Sequence, residues 1–305
     1  MKKLLLVAVF SLLVAMGSAR AQQFDRGTDG NISWRFDSST GTLTISGKGA
    51  MEDYALFLAP WYSYCSSIVR VNIKKGVTSV GTWAFYDCGY ITSIALPKGI
   101  KSIGDGAFAG CMSLASLVLP KGITSIRENV FLRCASLTSI TLPEGIVSIE
   151  NEAFLNCCAL TSIVFPTGMK RVEEDAFRFC SSLTSIVLPE GITDIGSKAF
   201  QECTSLVSIN LPEGITNIGS HVFYDCRSLT SIILPKGITS IGKEAFWGCS
   251  SLTSITALNP VPIAIAPDVF ERVNKELCTL IVPESAVEAY KAADVWKGFW
   301  QIIGR

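Results

Sequence analysis

The chain is poor in the residues that carry out chemistry. Its 305 residues include a single histidine, His221. A Ser/His/Asp hydrolase or a histidine-rich metal centre would have to be assembled around that one side chain. Neither sign of charge is in excess, with 26 basic and 26 acidic side chains. That removes the basic face which nucleic-acid binding requires. The chain also lacks a membrane-spanning run. Its most apolar stretch, Leu4 to Met16, has 13 residues, where about 20 are needed to cross the hydrocarbon core. That stretch follows Lys2 and Lys3 and precedes Ala19-Arg20-Ala21, the three parts of a secretory leader cleaved after Ala21. The first cysteine is Cys65, so no lipid-modified cysteine is expected at that cut. The expectation is an exported mature chain, secreted or at the cell surface with the periplasm possible, and without membrane insertion.

What the sequence has instead is a period. Proline recurs at 97, 120, 143, 166, 189, 212 and 235, and phenylalanine at 85, 108, 131, 154, 177, 200, 223 and 246, always 23 apart. Eight units, 68–90 through 229–251, follow without an insertion. In 137–159, "LTSITLPEGIVSIENEAFLNCCA", the alternation from Ile140 to Leu142 reads as a strand. Pro143 ends it for want of an N–H, and Gly145 is expected to supply a positive φ for the turn. Ile146 and Ile149 follow, then a polar corner, then Ala153-Phe154. Each unit is one turn of a flattened coil that cannot bury its own core and must stack. About six large apolar side chains per turn, at roughly 1.5–3 kcal/mol each, drive that stacking.

The phrase "LTSIxLPxGITSIGxxAFxxCxS" resembles the BspA-like leucine-rich repeat, closely over 68–251. "GTLTISGKGAMEDY" (41–54) is similar to that family's N-terminal segment, and "CTLIVPESAVEAYKAADVWKGFWQI" (278–302) to its C-terminal one. The resemblance implies a repeat solenoid, a right-handed coil that is mainly β with short turns. The expected division is a leader at 1–21, an N-terminal cap at 22–67, eight repeats at 68–251, and a degenerate repeat with the C-terminal cap at 252–305. "NISWRFDSSTGTLTIS" reads as a capping β-hairpin turning at Ser38 to Gly41. At the other end the cap is a strand, Thr279–Val282, and a helix opened by Pro283-Glu284-Ser285. Val287, Tyr290 and Trp296 are expected to face the last turn.

Eleven cysteines in an exported chain invite disulfides. Cys65, Cys88, Cys111, Cys134, Cys157, Cys180, Cys203, Cys226 and Cys249 lie 23 apart, so they form one internal column. Stacked turns bring neighbouring Cα atoms within disulfide reach, but parallel Cβ vectors aim the sulfurs poorly at one another. The expectation is a structural column of buried thiols, with Cys158 partly exposed and Cys278 in the C-terminal cap.

Three surfaces are candidates for recognition. On the strand, Ser93, Ser116, Ser139, Ser162, Ser185, Ser208 and Ser231 point outward. Beside them run Ala95, Val118, Thr141, Val164, Val187, Asn210 and Ile233. The partner-binding face is assigned to Ser116 through Asn210 in these two rows. Scaffold residues that simply suit strands are the plainer reading. Corner acids from Glu128 to Asp175 suggest Ca²⁺ but read more simply as solvated turn charges. Tyr86, Phe179, Tyr224 and Trp247 form an aromatic edge that a sugar could stack on, unless adjacent turns use it for packing. His221 shares its register with Gly106, Asn129, Lys198 and Glu244, which marks a solvent position. No nucleophile–base–orienter set stands outside the repeat. No enzyme activity, cofactor or metal is expected. The family resemblance implies adhesion to host matrix proteins, host cells or other bacteria through a protein or cell-surface ligand. A glycan-binding module is the alternative and an enzyme the remote one.

Overall fold

Every unit spends its 23 residues in the same order. In 114–136 the strand Ser116–Val118 alternates exposed, buried, exposed. Leu119-Pro120 ends it, and a turn closes through Ile123 N–H to Pro120 O at 3.1 Å. The two-residue strand Ser125–Ile126 follows. Then come three overlapping turns, with Val130, Leu132 and Cys134 N–H donating to the carbonyls of Arg127, Asn129 and Phe131. Repetition stacks these pieces into a β-solenoid. The structure, a computed structural model, describes residues 24–305; the expected leader at 1–21 lies outside them.

Two parallel sheets run along the coil. One is built from the two-residue strands and continues unbroken from Ser125–Ile126 to Ser240–Ile241. The other is the broad strand face, and it is interrupted. Its first segment ends at Ser93–Ala95, Ser116–Val118 pairs with Ser139–Thr141, Ser185–Val187 pairs with Ser208–Asn210, and a last group begins at Ser231–Leu234. Ser162 to Val164, expected as a strand, carries no ladder, although Ile163 is buried and its neighbours are exposed as in the other units.

The most regular bonds between turns lie at the corner, not on the sheets. Across each junction from the 83–88 corner to the 221–226 corner, three N–H groups donate to carbonyls of the following turn. Phe131 N–H, for example, reaches Ala153 O, and Arg133 N–H reaches Leu155 O, all at 2.7–3.1 Å. The donors at the two ends of each corner sit in the left-handed region. Asn129, Glu152, Asp175, Lys198, His221 and Glu244 have φ of 54–59°, and Asp87, Arg133, Asn156, Phe179, Glu202 and Asp225 have φ of 57–63°. The positive φ expected of Gly145 is therefore misplaced: the glycines after each proline, Gly99 to Gly237, are not in that region. At two of them a Cβ would crowd the previous turn, 2.9 Å from Ile100 O at Gly122 and 2.9 Å from Met169 O at Gly191.

Inside, Phe85, Phe108, Phe131, Phe154, Phe177, Phe200, Phe223, Phe246 and Phe270 form one stack. Their centroids are 5.2–5.9 Å apart and their planes within 6–21°. Trp61 lies on its first ring, and Trp296 and Phe299 meet its last edge-on. The cysteine column runs beside it. Seven thiols, Cys111 to Cys249, donate to the carbonyl of the phenylalanine 26 residues earlier at 3.1–3.4 Å. Burial pushes the Cys134 thiol up to about 12, and raises the pKa of the other six as well.

The column's first pair corrects the expectation of free thiols throughout. Cys88 is joined to Cys65, with Cα atoms 4.5 Å apart. The residue before each cysteine from Cys88 to Cys249 is left-handed, whereas Tyr64 before Cys65 ends a 3₁₀ turn. Cys65 is thus presented on a different backbone from the cysteines that follow it.

The caps extend the coil at both ends. The expected hairpin is part of a three-stranded meander, Phe24–Asp29, Ile32–Asp37 and Thr42–Gly47, whose last strand pairs in parallel with Arg70–Ile73. At the far end, Thr279–Val282 is followed by the short helix Val287–Ala292 and by a strand absent from the sequence reading, Gln301–Gly304. Tyr290 and Trp296 are buried and donate to Asn259 O at 3.1 Å and Ile263 O at 2.9 Å.

Candidate functional site

The strand face owes its chemistry to two-residue alternation. Leu117, Ile140, Ile163, Ile186 and Ile209 point into the core, so Ser116, Val118, Ser139, Thr141, Ser162, Val164, Ser185, Val187, Ser208 and Asn210 all point to solvent. Register puts Ser116 beside Ser139 and Val118 beside Thr141, then Ser185 beside Ser208 and Val187 beside Asn210. Val118, Val164 and Val187 are 75%, 81% and 69% exposed, high for apolar side chains aligned in one row. The neighbouring threonines have another duty. Thr92, Thr138, Thr161, Thr184, Thr230 and Thr253 donate their hydroxyls to carbonyls of the preceding turn. None of the serine hydroxyls in the row has a hydrogen-bond partner among the described residues, so they are free to bind.

The face is not uniform, and one groove in it escaped the sequence reading. A groove of about 850 Å³ lies between Ser93–Ala95 and Ser116–Val118. Here the ladder is broken. Thr92, Thr138, Thr161, Thr184 and Val207 N–H each donate to the turn before, but no such bond joins Ala115 N–H to Thr92 O. The opening half-exposes Ile94 and Leu96. Lys98 and Lys121 line the groove, and the same register further along carries Glu144, Glu190 and Glu213. The only sequence signal was Ala95, the smallest residue in its row, which leaves room where the other turns have Val, Thr, Asn or Ile.

The rival surfaces are occupied. Trp247 stacks on Tyr224 at 4.4 Å and 3°, and the Arg272 guanidinium lies 4.2 Å over the indole. Tyr86 packs against Phe57 and Trp83, and Phe179 against Arg178. At the acidic corner, Asp175 faces Arg178 at 3.3 Å and Glu174 faces Lys198 at 3.2 Å. Burial, then the charges of Asp175 and Glu128, raises the Glu152 carboxyl pKa. Among the described residues no group of three or more His, Cys, Asp or Glu side chains is placed to hold a metal ion. His221 is half-buried at a left-handed corner, its Nε2 3.4 Å from Glu244 Oε2. Its register is set by backbone conformation, with side-chain identity secondary.

A family model described as a BspA type leucine rich repeat region, in six copies, matches residues 59–184 and 170–293. The chain belongs to this family. Among solved structures, this BspA-type chain is similar to a leucine-rich repeat protein from Bacteroides ovatus, at 24% identity over 84% of this chain and 70% of that one, with a TM-score of 0.57. It is also similar to one from Eubacterium ventriosum, at 22% identity over 87% and 80%, with a TM-score of 0.56. These likenesses establish the fold. No curated protein matches the chain. No helix among the described residues is long and apolar enough to cross a membrane.

Proposed function

We propose that this BspA-type solenoid is exported and binds an extracellular protein or cell-surface ligand through its strand face, as an adhesin without catalytic activity. The supporting observation is the row of exposed valines beside unbonded serine hydroxyls, opening into the groove at Ala95. Apolar rows flanked by polar hydroxyls mark interaction sites on soluble proteins. The strands are fixed by stacked neighbours, so little conformational freedom is lost on contact. An extended segment with an apolar side chain beside a carboxylate suits a groove bordered by Lys98 and Lys121. The aromatic edge supports a glycan reading less well, since both faces of Trp247 are already covered. The test is binding of the mature chain to immobilised matrix proteins, to host or bacterial cells and to a glycan array. The variants are a triple Val118→Glu, Val164→Glu, Val187→Glu chain and a separate Trp247→Ala chain. Loss of binding by at least about tenfold in the triple variant alone is expected. Undiminished binding by that variant would refute the reading, and loss with Trp247→Ala on the array would move the site to the aromatic edge.

A further inference from the structure

The balanced total of charge conceals a segregation along the coil. Each broad strand turns over one edge to reach the short strand that follows it. In the first four turns this edge carries Lys48, Lys74, Lys75, Lys98, Lys101 and Lys121. The stretches that form it, 42–50, 70–80, 93–103 and 116–126, contain no Asp or Glu. Pairing sets Asn72 beside Ala95, which brings Lys75 into step with Lys98. Lys98 and Lys121 border the same groove. The Lys48 side chain lies over Gly76, its Cγ 3.6 Å from where a Cβ would stand. All six lysines are exposed, and among the described residues none has a carboxylate within ion-pair reach. By contrast, Arg127 meets Asp105, Lys198 meets Glu174 and Lys243 meets Glu244. Further along the edge the sign changes, with Glu144, Glu190 and Glu213 in the register of Lys98 and Lys121.

We infer that this lysine edge binds a linear sulfated polysaccharide, laid along the coil axis from Lys121 to Lys48. A lone carboxylate meeting one exposed lysine gains at most about fivefold in affinity and is screened by salt, so a protein surface with scattered acids gains little here. A chain of high linear charge density gains at every lysine, because each contact releases a condensed counterion. Successive turns lie about 4.8 Å apart, which puts the whole row within about 15 Å. Charge at that density matches a polymer with more than one anion per sugar, as sulfation provides, better than one whose only acid is a uronate. The Ser93 and Ser116 hydroxyls line the groove beside Lys98 and Lys121 and can bond sugar hydroxyls. Single-stranded nucleic acid fits less well, since the four stretches hold no aromatic side chain for a base to stack on. A second copy of the chain fits less well too, because its acidic edge is interrupted by Lys170 and Arg171. The inference does not rest on the valine row.

Titration of the mature chain with heparin between about 50 and 200 mM salt tests it. The logarithm of the affinity should fall linearly with that of the salt concentration, with a slope of about −3 to −4. Lys48→Ala with Lys75→Ala, both outside the groove, should weaken binding by about tenfold and make the slope shallower by about 1 to 2. Arginine at the same two positions should retain most of the binding. Lys236→Ala, in the same register but beyond Glu213, should leave it unchanged, as should Val164→Glu with Val187→Glu, which separates this edge from the strand face. Heparin stripped of sulfate but keeping its carboxylates should bind at least about tenfold more weakly. Absence of heparin binding at the lowest salt would overturn the inference, and so would an unchanged slope in the Lys48→Ala, Lys75→Ala chain. Desulfated heparin, polyglutamate or single-stranded DNA binding as tightly as heparin would overturn it as well, and a salt-sensitive dimer in place of the heparin complex would give the edge to a second copy.

Discussion

Phe154 shows what a single residue contributes. It touches Phe131 and Phe177 at 5.2 Å on either side and is fully buried. Truncation leaves a hole that two turns line but neither can fill, so Phe154→Ala should cost about 3–5 kcal/mol, read from urea unfolding. An effect below 1 kcal/mol would mean that the stack is slack. The cysteines make a prediction about pH. Their thiols ionise well above the ordinary value of 9.0, with Cys134 at about 12. A raised folded pKa contributes stability that is complete below the unfolded pKa and is lost as pH rises toward the folded one. Thermal midpoints should therefore hold to about pH 9 and fall between about pH 9 and 12, and Cys134→Ala, Cys157→Ala and Cys180→Ala together should flatten that fall. In the native chain at pH 8, iodoacetamide should modify Cys158, half-exposed, and spare the buried thiols. The phenylalanine and cysteine rows were legible because one letter repeats at one period. The left-handed backbone was not. Asn129, Glu152, Asp175, Lys198 and His221 share polarity but neither charge, size nor shape, and what the register keeps beyond that is a torsion angle.

The corner is the element the sequence reading undervalued. It looked like a polar bend between two apolar pieces, yet it carries three bonds across almost every junction while the strand face is broken at several. The reason is physical. Left-handed residues at both ends turn alternate N–H groups to the same side, which no pattern of hydropathy can express. A bulky residue held there is strained by about 1–2 kcal/mol, and two units use glycine at the later position, Gly110 and Gly248. Glu202→Gly should therefore stabilise the chain by up to about 1 kcal/mol after glycine's own entropy cost. A loss of stability in calorimetry would show that Glu202 is held by contacts stronger than its strain. On the strand face, the outward rows followed directly from alternation. The groove did not, because it depends on one missing bond, Ala115 N–H to Thr92 O, between units whose letters are nearly the same.

For the whole molecule, the repeat makes stability a sum over junctions. Removing residues 137–159 joins Ser136 to Leu160 in register, so the shortened chain should fold, with a lower melting temperature and a solenoid shorter by about 5 Å, measurable by small-angle scattering. Removal of half that length should abolish cooperative melting. If the half-unit deletion melts as sharply as the full one, the turns are not the unit of folding. The corner ladder has one more consequence at this scale. All its cross-turn amides point toward the C-terminal end, and all the carbonyls that receive them point back, so their peptide dipoles add along the axis as those of an α-helix do. The N–H groups of Thr92, Thr138, Thr161, Thr184 and Val207 point the other way, onto the preceding turn, so one edge of the coil is polarised lengthwise in one sense and the edge carrying these residues in the other.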